Sequence, residues 1–326
     1  MNTHDDNIEY GLFLNALEKN VTELVKSRLN GDYEITHNMV LKNNSVELTA
    51  LTIRERGAVS APNIFLDSYY HEYQKGRDIS DISGDVLNVF LENKDRLDVS
   101  TFDDFSFEKL KERIFFKLVN FSLNLELLKS LPYIQKGDLA LIFACLIEHK
   151  GDGISSVRID NSLMEKWNTN AEELYELARV NSTRLFPPKV FTLNTSNLTA
   201  LLENRMSDPG IENILESKQD GILCGYELAD DISMLYVLTN TDGIDGAACI
   251  AYEGLLERIY RKLGTEFFIL PSSVHEVIIL PDNGKIEASG LSRMVNEINH
   301  TTLSAMDVLS DRVYHYPQDV FDSGTV

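Results

Sequence analysis

Apolar positions between residues 7 and 29 recur every three or four places: Ile8, Leu12, Leu14, Leu17, Val21, Leu24, Val25 and Leu29. That period lines one face of an α-helix, so the chain is predicted to open on an amphipathic helix. The pattern then changes. "YEITHNMVLKNNSVELTALTIRE" alternates on either side of Asn43-Asn44. Asparagine tolerates the positive φ of a tight turn, so a β-hairpin is expected there. Pro62 is expected to end the second strand region, and "FLDSYYHEYQKG" reads as a short helix capped by Asp67 or Ser68 and stopped near Gly76. From 80 to 130 the helical period returns in "SGDVLNVFLENKDRL" and "SFEKLKERIFFKLVNFSLNLELLKSL", and this region reads as mostly helical.

A second block starts at "GDLALIFACLIEHKGDGISSVRID", with a buried strand, a turn at Gly151-Asp152-Gly153 and a second strand. "SLME" at Ser162 and "TNAE" at Thr169 have the capping-box form, in which a hydroxyl takes one amide and a carboxylate reaches back to another. "EELYELARVN" then continues as a full helix, with Trp167 just before it; "RLFPPKVFTL" leads out, and "NTSNLTALLENRM" reads as another short helix. In the last block "SMLYVLTN", "EFFILP", "HEVIILP" and "DRVYHYP" are strands, while "DGIDGAACIAYEGLLERIYRKLG" and "SGLSRMVNEINH" are helices.

The expected class is α+β. Residues 1–130 would hold the N-terminal helix, hairpin and helical region, and 131–220 a middle ββα unit. Residues 221–326 would form a β-α-β-β-α-β unit of split βαβ, ferredoxin-like type. In that topology the last strand pairs with the first, and two helices cover one sheet face. The other apolar face is left for the middle unit or a second chain.

Charge alters this picture most. Asp and Glu number 51 against 30 Lys and Arg, a net −21, of which residues 1–130 carry −7 and 131–326 carry −14. Such a surface repels phosphate backbones and anionic lipids, so direct nucleic-acid backbone binding and membrane association are not expected. The longest apolar run, Leu139–Ile147, has nine residues, against roughly 20 for a spanning helix. "MNTHDDNIEY" lacks the basic and apolar segments of a secretory leader. Cys145, Cys224 and Cys249 stand far apart among apolar neighbours with no CxxC, as small core residues of a reducing cytoplasm would.

Candidate chemistry concentrates in "FFILPSSVHEVIILPD". Ser272, Ser273, His275 and Glu276 lie there, without HExxH or G-x-S-x-G. The stretch is expected to be a hairpin with strands at 266–270 and 275–280, so that neighbours His275 and Glu276 point to opposite faces. His315, two strands from His275 in the ferredoxin-like order, would be roughly 9–10 Å away at ~4.8 Å per strand, too wide for a shared metal. In "TNTDGIDGA", Asp242 or Asp245 is expected to cap the following helix; no G-x-G-x-x-G or phosphate-binding P-loop occurs. His71, among Tyr69, Tyr70 and Tyr73, reads as part of an aromatic cluster packed on the N-terminal hairpin, with a ligand surface as the alternative. No cofactor and no metal are assigned. Ser272, Ser273, His275 and Asp242 are the weak catalytic candidates.

Three blocks carry a resemblance: "LTIRERGAVSAPNIFLDSYYHEYQKG", "LIFACLIEHKGDGISSVRIDNSLMEKWNTNAEELYELARVNSTRLFP" and "MLYVLTNTDGIDGAACIAYEGLLERIYRKLGTEFFILPSSVHEVIILPD". Together they resemble the bacterial family known as domain of unknown function 5688, over roughly residues 8 to 318. The middle and last blocks are more faintly similar to domain of unknown function 1444. The resemblance implies a cytoplasmic bacterial protein without an established activity, and supplies no catalytic residues.

The leading expectation is therefore a non-catalytic cytoplasmic binding or protein-interaction protein, with a protein partner or as a homodimer. The alternative is a hydrolase or transferase of unrecognised type, with its site near Ser272, His275 and Asp242. A further alternative is an acidic mimic of nucleic acid.

Overall fold

Helix α1 (Thr3–Arg28) turns its stripe Phe13, Leu17, Val21 and Val25 inward, every fourth residue and fully buried. The computed structural model to which it belongs describes residues 3–58, 61–94, 106–150, 153–193, 213–216, 235–285, 287–319 and 321. The helix expected in "NTSNLTALLENRM", residues 194–206, and Cys224 lie outside the described residues. The chain forms two compact units, Met1–Lys42 with Val46–Phe105, and Asn43–Ser45 with Ser106–Val326. Helices and antiparallel sheets are mixed in it, so the α+β class holds.

In the first unit β1 (Tyr33–Leu41) and β2 (Glu47–Glu55) make the expected hairpin, pairing from Tyr33 with Glu55 to Leu41 with Glu47. Pro62 does not close the sheet; it precedes a third strand, β3 (Asn63–Phe65), on the far edge of β2. Helices α2 (Asp67–Gln74) and α3 (Ile79–Asn93) follow. Leu51, Ile53, Ile82, Val86, Leu87 and Phe90 complete the core against the α1 stripe. Each such side chain contributes about 1.5–3 kcal/mol by leaving water. Ile8 and Leu12, read from sequence as part of the inner face, are 55% and 66% exposed. Four-residue steps back from Leu17 lead to Phe13, not to Leu12. Leu66, not Asp67 or Ser68, holds the cap position of α2, with no side-chain bond. Tyr70 and Tyr73 pack on Phe13 of α1, with Tyr10 against Tyr70, so the aromatic cluster rests on the helix. His71 stays exposed.

Two antiparallel sheets build the second unit. In the first, β6 (Leu139–Lys150) is central: β4 (Ile114–Asn120) lies on one edge, while β5 (Tyr133–Lys136) and β7 (Gly153–Arg158) share the other. Short helices α4 (Phe107–Leu110) and α5 (Leu125–Leu128) flank β4, and α6 (Asn161–Lys166) and α7 (Ala171–Leu185) follow β7. β4 replaces an expected helix. Six of the seven residues in "IFFKLVN" are buried, with Phe115 against Phe186 and Phe116 against Tyr252. A strand covered on both faces loses its alternation, and a short apolar run then reads equally well as helix. Asn181 and Ser182 of α7 bind its backbone: Asn181 Nδ2 donates to the Ile114 carbonyl, and Ser182 Oγ accepts from the Phe116 N–H. Asp160 and Asn170, not Ser162 and Thr169, cap α6 and α7.

The second sheet has the order β12-β10-β11-β9-β8, all antiparallel, from β8 (Pro188–Thr192), β9 (Tyr236–Asn240), β10 (Phe267–Pro271), β11 (Val277–Pro281) and β12 (Tyr314–Tyr316). This departs from the ferredoxin-like order. β8 holds the edge of β9 that the last strand would have taken, and β12 adds to β10 instead. The long helix expected after β9 is divided into a 3-10 segment, Gly246–Ala251, and α8 (Leu255–Leu263), which starts after Gly254 at φ 68. Helix α9 (Ala288–Thr301) packs Val295 on Phe268, Leu270 and Leu280. On the opposite face, α8 places Tyr260 on Tyr316, which stacks on Phe267. The two helices thus take one face each, and the face left for a partner is covered by the chain itself.

Candidate functional site

β9 and β11 run antiparallel, with Leu238 opposite Val277, so the loop leaving β9 (241–245) and the loop entering β11 (272–276) meet at one end of the sheet. Gly246 permits this approach. A Cβ there would lie 2.5 Å from the His275 carbonyl oxygen and 2.7 Å from the Asn240 nitrogen, and closer still to Thr239 Oγ1. Thr239 Oγ1 donates to that same carbonyl at 2.7 Å.

β11 begins at Val277, so His275 and Glu276 belong to the loop and strand alternation does not orient them. Glu276 turns back on the serines: Ser272 and Ser273 both donate to its Oε1, at 2.9 and 2.8 Å. Ser273, 4% exposed, also accepts the His275 N–H at 2.9 Å. The imidazole of His275 points elsewhere. Its Nδ1 accepts the backbone N–H of Asp245 at 3.1 Å, and an amide can only donate, so the proton of the neutral ring sits on Nε2. Nε2 lies 3.7 Å from Asp307 Oδ1.

Asp245 and Asp242 are not side-chain caps. Asp245, at φ 52, occupies the cap position of the 3-10 segment without a capping bond, and its carboxylate takes Lys117 Nζ at 2.8 Å. Asp242 takes His149 Nε2 at 2.7 Å, while its own N–H donates to Asn240 Oδ1. The four sequence candidates therefore fall into three networks: Ser272 and Ser273 on Glu276, His275 between Asp245 and Asp307, and Asp242 on His149. Hydroxyl and imidazole are not paired. Cys145 and Cys249 are buried, and burial pushes the Cys145 thiol up to about 12 and raises that of Cys249 as well. Both are protonated at neutral pH, the state in which a thiol is a poor nucleophile.

His315 is remote from His275. It sits opposite Phe268, which pairs with Leu280, five residues beyond His275 along the next strand. The 9–10 Å separation expected from the ferredoxin-like pairing therefore does not apply. Its actual neighbours are Asp282 and Glu266, which sequence reasoning passed over. The signal was there: both carboxylates flank the apolar runs of one hairpin at positions its register pairs.

A family model described as a family of unknown function, DUF5688, matches residues 10–318. No curated protein and no solved structure matches the chain. The fainter likeness to domain of unknown function 1444 has no support in these comparisons.

Proposed function

The chain belongs to the DUF5688 family, which brings no activity with it, and from the loop geometry we propose a non-catalytic binding or protein-interaction protein. The observation that carries this reading is the separation of hydroxyl from imidazole. Nucleophilic catalysis needs a base within reach of the hydroxyl and a third group orienting that base. Here Glu276 shares one oxygen between two serines, and Ser273 is buried with its oxygen both donating and accepting. Those bonds hold a turn, as serine hydroxyls commonly do. The alternative of a hydrolase or transferase keeps one point in its favour, the half-buried Ser272 hydroxyl bonded to a carboxylate.

A partner of different sequence fits better than a second copy, because α9 covers the sheet face that argued for a homodimer. Two buried free thiols support a reducing cytoplasm as the compartment. The nucleic-acid mimic has less support: in the first unit Arg54 lies beside Glu34, Arg56 beside Asp32, and Arg77 between Glu72 and Asp85, so cations are interspersed among these carboxylates.

Two measurements test the proposal. A fluorophosphonate probe is expected to leave Ser272 and Ser273 unlabelled at neutral pH. Crosslinking in producing cells, read by mass spectrometry, is expected to recover one stoichiometric partner. Labelling that disappears in Ser272→Ala would overturn the non-catalytic reading, and the absence of any stoichiometric partner would overturn the interaction role.

A further inference from the structure

Glu266 immediately precedes β10, Asp282 immediately follows β11, and His315 is the central residue of β12. The register puts all three on one sheet face. Phe267 pairs with Pro281, so Glu266 faces Asp282, and the Asp282 N–H donates to the Glu266 carbonyl at 2.8 Å. Phe268 pairs with His315, and Phe268 and Glu266, two residues apart, project to the same side. Two carboxylates opposed across a pair of strands repel each other, and the third member is an imidazole rather than a lysine or arginine.

The side chains are already gathered. His315 Nε2 lies 3.1 Å from Asp282 Oδ2 and 3.8 Å from Glu266 Oε2, and one ligand atom from each residue lies within 4.8 Å of the others. A tetrahedral ion with bonds of about 2.1 Å sets its ligand atoms about 3.4 Å apart, inside that spread. Two of the three are held in place. Asp282 Oδ1 accepts the Gly284 N–H at 2.7 Å, which leaves Oδ2 facing inward. The His315 ring, only 14% exposed, stands edge-on to Phe268 at 4.6 Å. Glu266, 49% exposed, is the member on the solvent side.

We propose that Glu266, Asp282 and His315 form a site for one divalent transition-metal cation, with Zn²⁺ the best match and a fourth position open to water or an exogenous ligand. One imidazole and two carboxylates favour such an ion over Mg²⁺ or Ca²⁺, which take oxygen ligands alone and in larger number. The donor set also limits the affinity. Nε2 donates to Asp282 without the ion, since a carboxylate only accepts; a cation at Nε2 transfers that proton to Nδ1 or to solvent. Metal-bound histidines usually give the second N–H to an acceptor, whereas Nδ1 of His315 is buried without one. Binding is therefore expected in the micromolar range rather than at the strength of a structural zinc site.

Titration of the full chain with Zn²⁺ alone by calorimetry, and with Co²⁺ by visible absorption, tests this. One equivalent should bind, with Co²⁺ bands of four- or five-coordinate intensity. Glu266→Gln, the most exposed of the three and so the least disruptive, should weaken Zn²⁺ by at least about tenfold, the lower end of what even an outer-shell partner costs. Asp282→Asn and His315→Gln should abolish the Co²⁺ bands while thermal unfolding stays cooperative. Affinity unchanged in Glu266→Gln and Asp282→Asn, octahedral Co²⁺ spectra, or Ca²⁺ competing on equal terms with Zn²⁺ would each overturn the assignment.

Discussion

Gly246 and Gly11 make opposite demands on one substitution. Gly246→Ala would drive a methyl group into the His275 carbonyl and the Asn240 nitrogen, backbone atoms on which the sheet depends. It is expected to cost about 3 kcal/mol or more, or to prevent soluble expression. Gly11→Ala, within α1 and with nothing beyond the adjoining helix backbone within 4 Å of the new carbon, should stabilise by about 0.5–1 kcal/mol. Urea unfolding curves separate the two. Cys145 offers a second check: with its thiol pushed up to about 12, alkylation at pH 8 should leave it unmodified in the folded protein and label it fully in urea, as peptide mapping would show. The composition of its neighbourhood made that inertness legible from sequence. The partners of His275 and Asp242 were not legible, because Asp245, Asp307 and His149 reach them through loops and a second sheet. Strand alternation carries no information about loop residues.

Helices α6 and α7 test local reasoning at the next scale up. The capping-box form pointed to Ser162 and Thr169, yet Asp160 Oδ1 takes the Leu163 N–H and Asn170 Oδ1 takes the Glu173 N–H. Asn170→Ala is expected to cost about 1 kcal/mol and Thr169→Ala clearly less, measured by thermal or urea denaturation. Thr169, one residue ahead of the cap, donates its Oγ1 to the Glu173 carboxylate at 2.6 Å instead of taking a backbone N–H. Elements with a clean period and a turn signal were legible, including α1, the β1–β2 hairpin, β6 with β7, and β10 with β11. β4, β5 and β8 were not. β4 is apolar on both faces, β5 has only four residues, and β8 begins at Pro188 in a segment that reads as a connector. Proline at the first position of an edge strand loses no ladder bond, and β8 is such an edge.

Across the whole second unit, buried acids with neutral protonated forms set its response to alkali. Burial raises Cys145 and Cys249 above the ordinary thiol value of 9.0, and raises Tyr252 and Tyr314 above 10.0, Tyr314 with help from the Asp138 charge. The unfolded chain ionises these groups first. Stability from them is therefore intact below pH 9 and is lost as pH rises from there, by about 1.4 kcal/mol per pH unit for each group that has ionised only in the unfolded state. Urea midpoints should fall above pH 9, and tyrosinate absorbance from Tyr252 and Tyr314 should appear together with unfolding rather than ahead of it. Strand order was the least legible property at this scale, since it depends on which edge of β9 is taken first and not on any one strand's pattern. The same unit also contains Asn43–Ser45, more than sixty positions ahead of Ser106 in the chain. Asn44 donates its N–H to Asn124 Oδ1 and its side-chain amide to the Ala305 and Val308 carbonyls. A gene fragment cut at codon 106 would therefore encode a body missing its own keystone, and only co-expression with the upstream piece could return it.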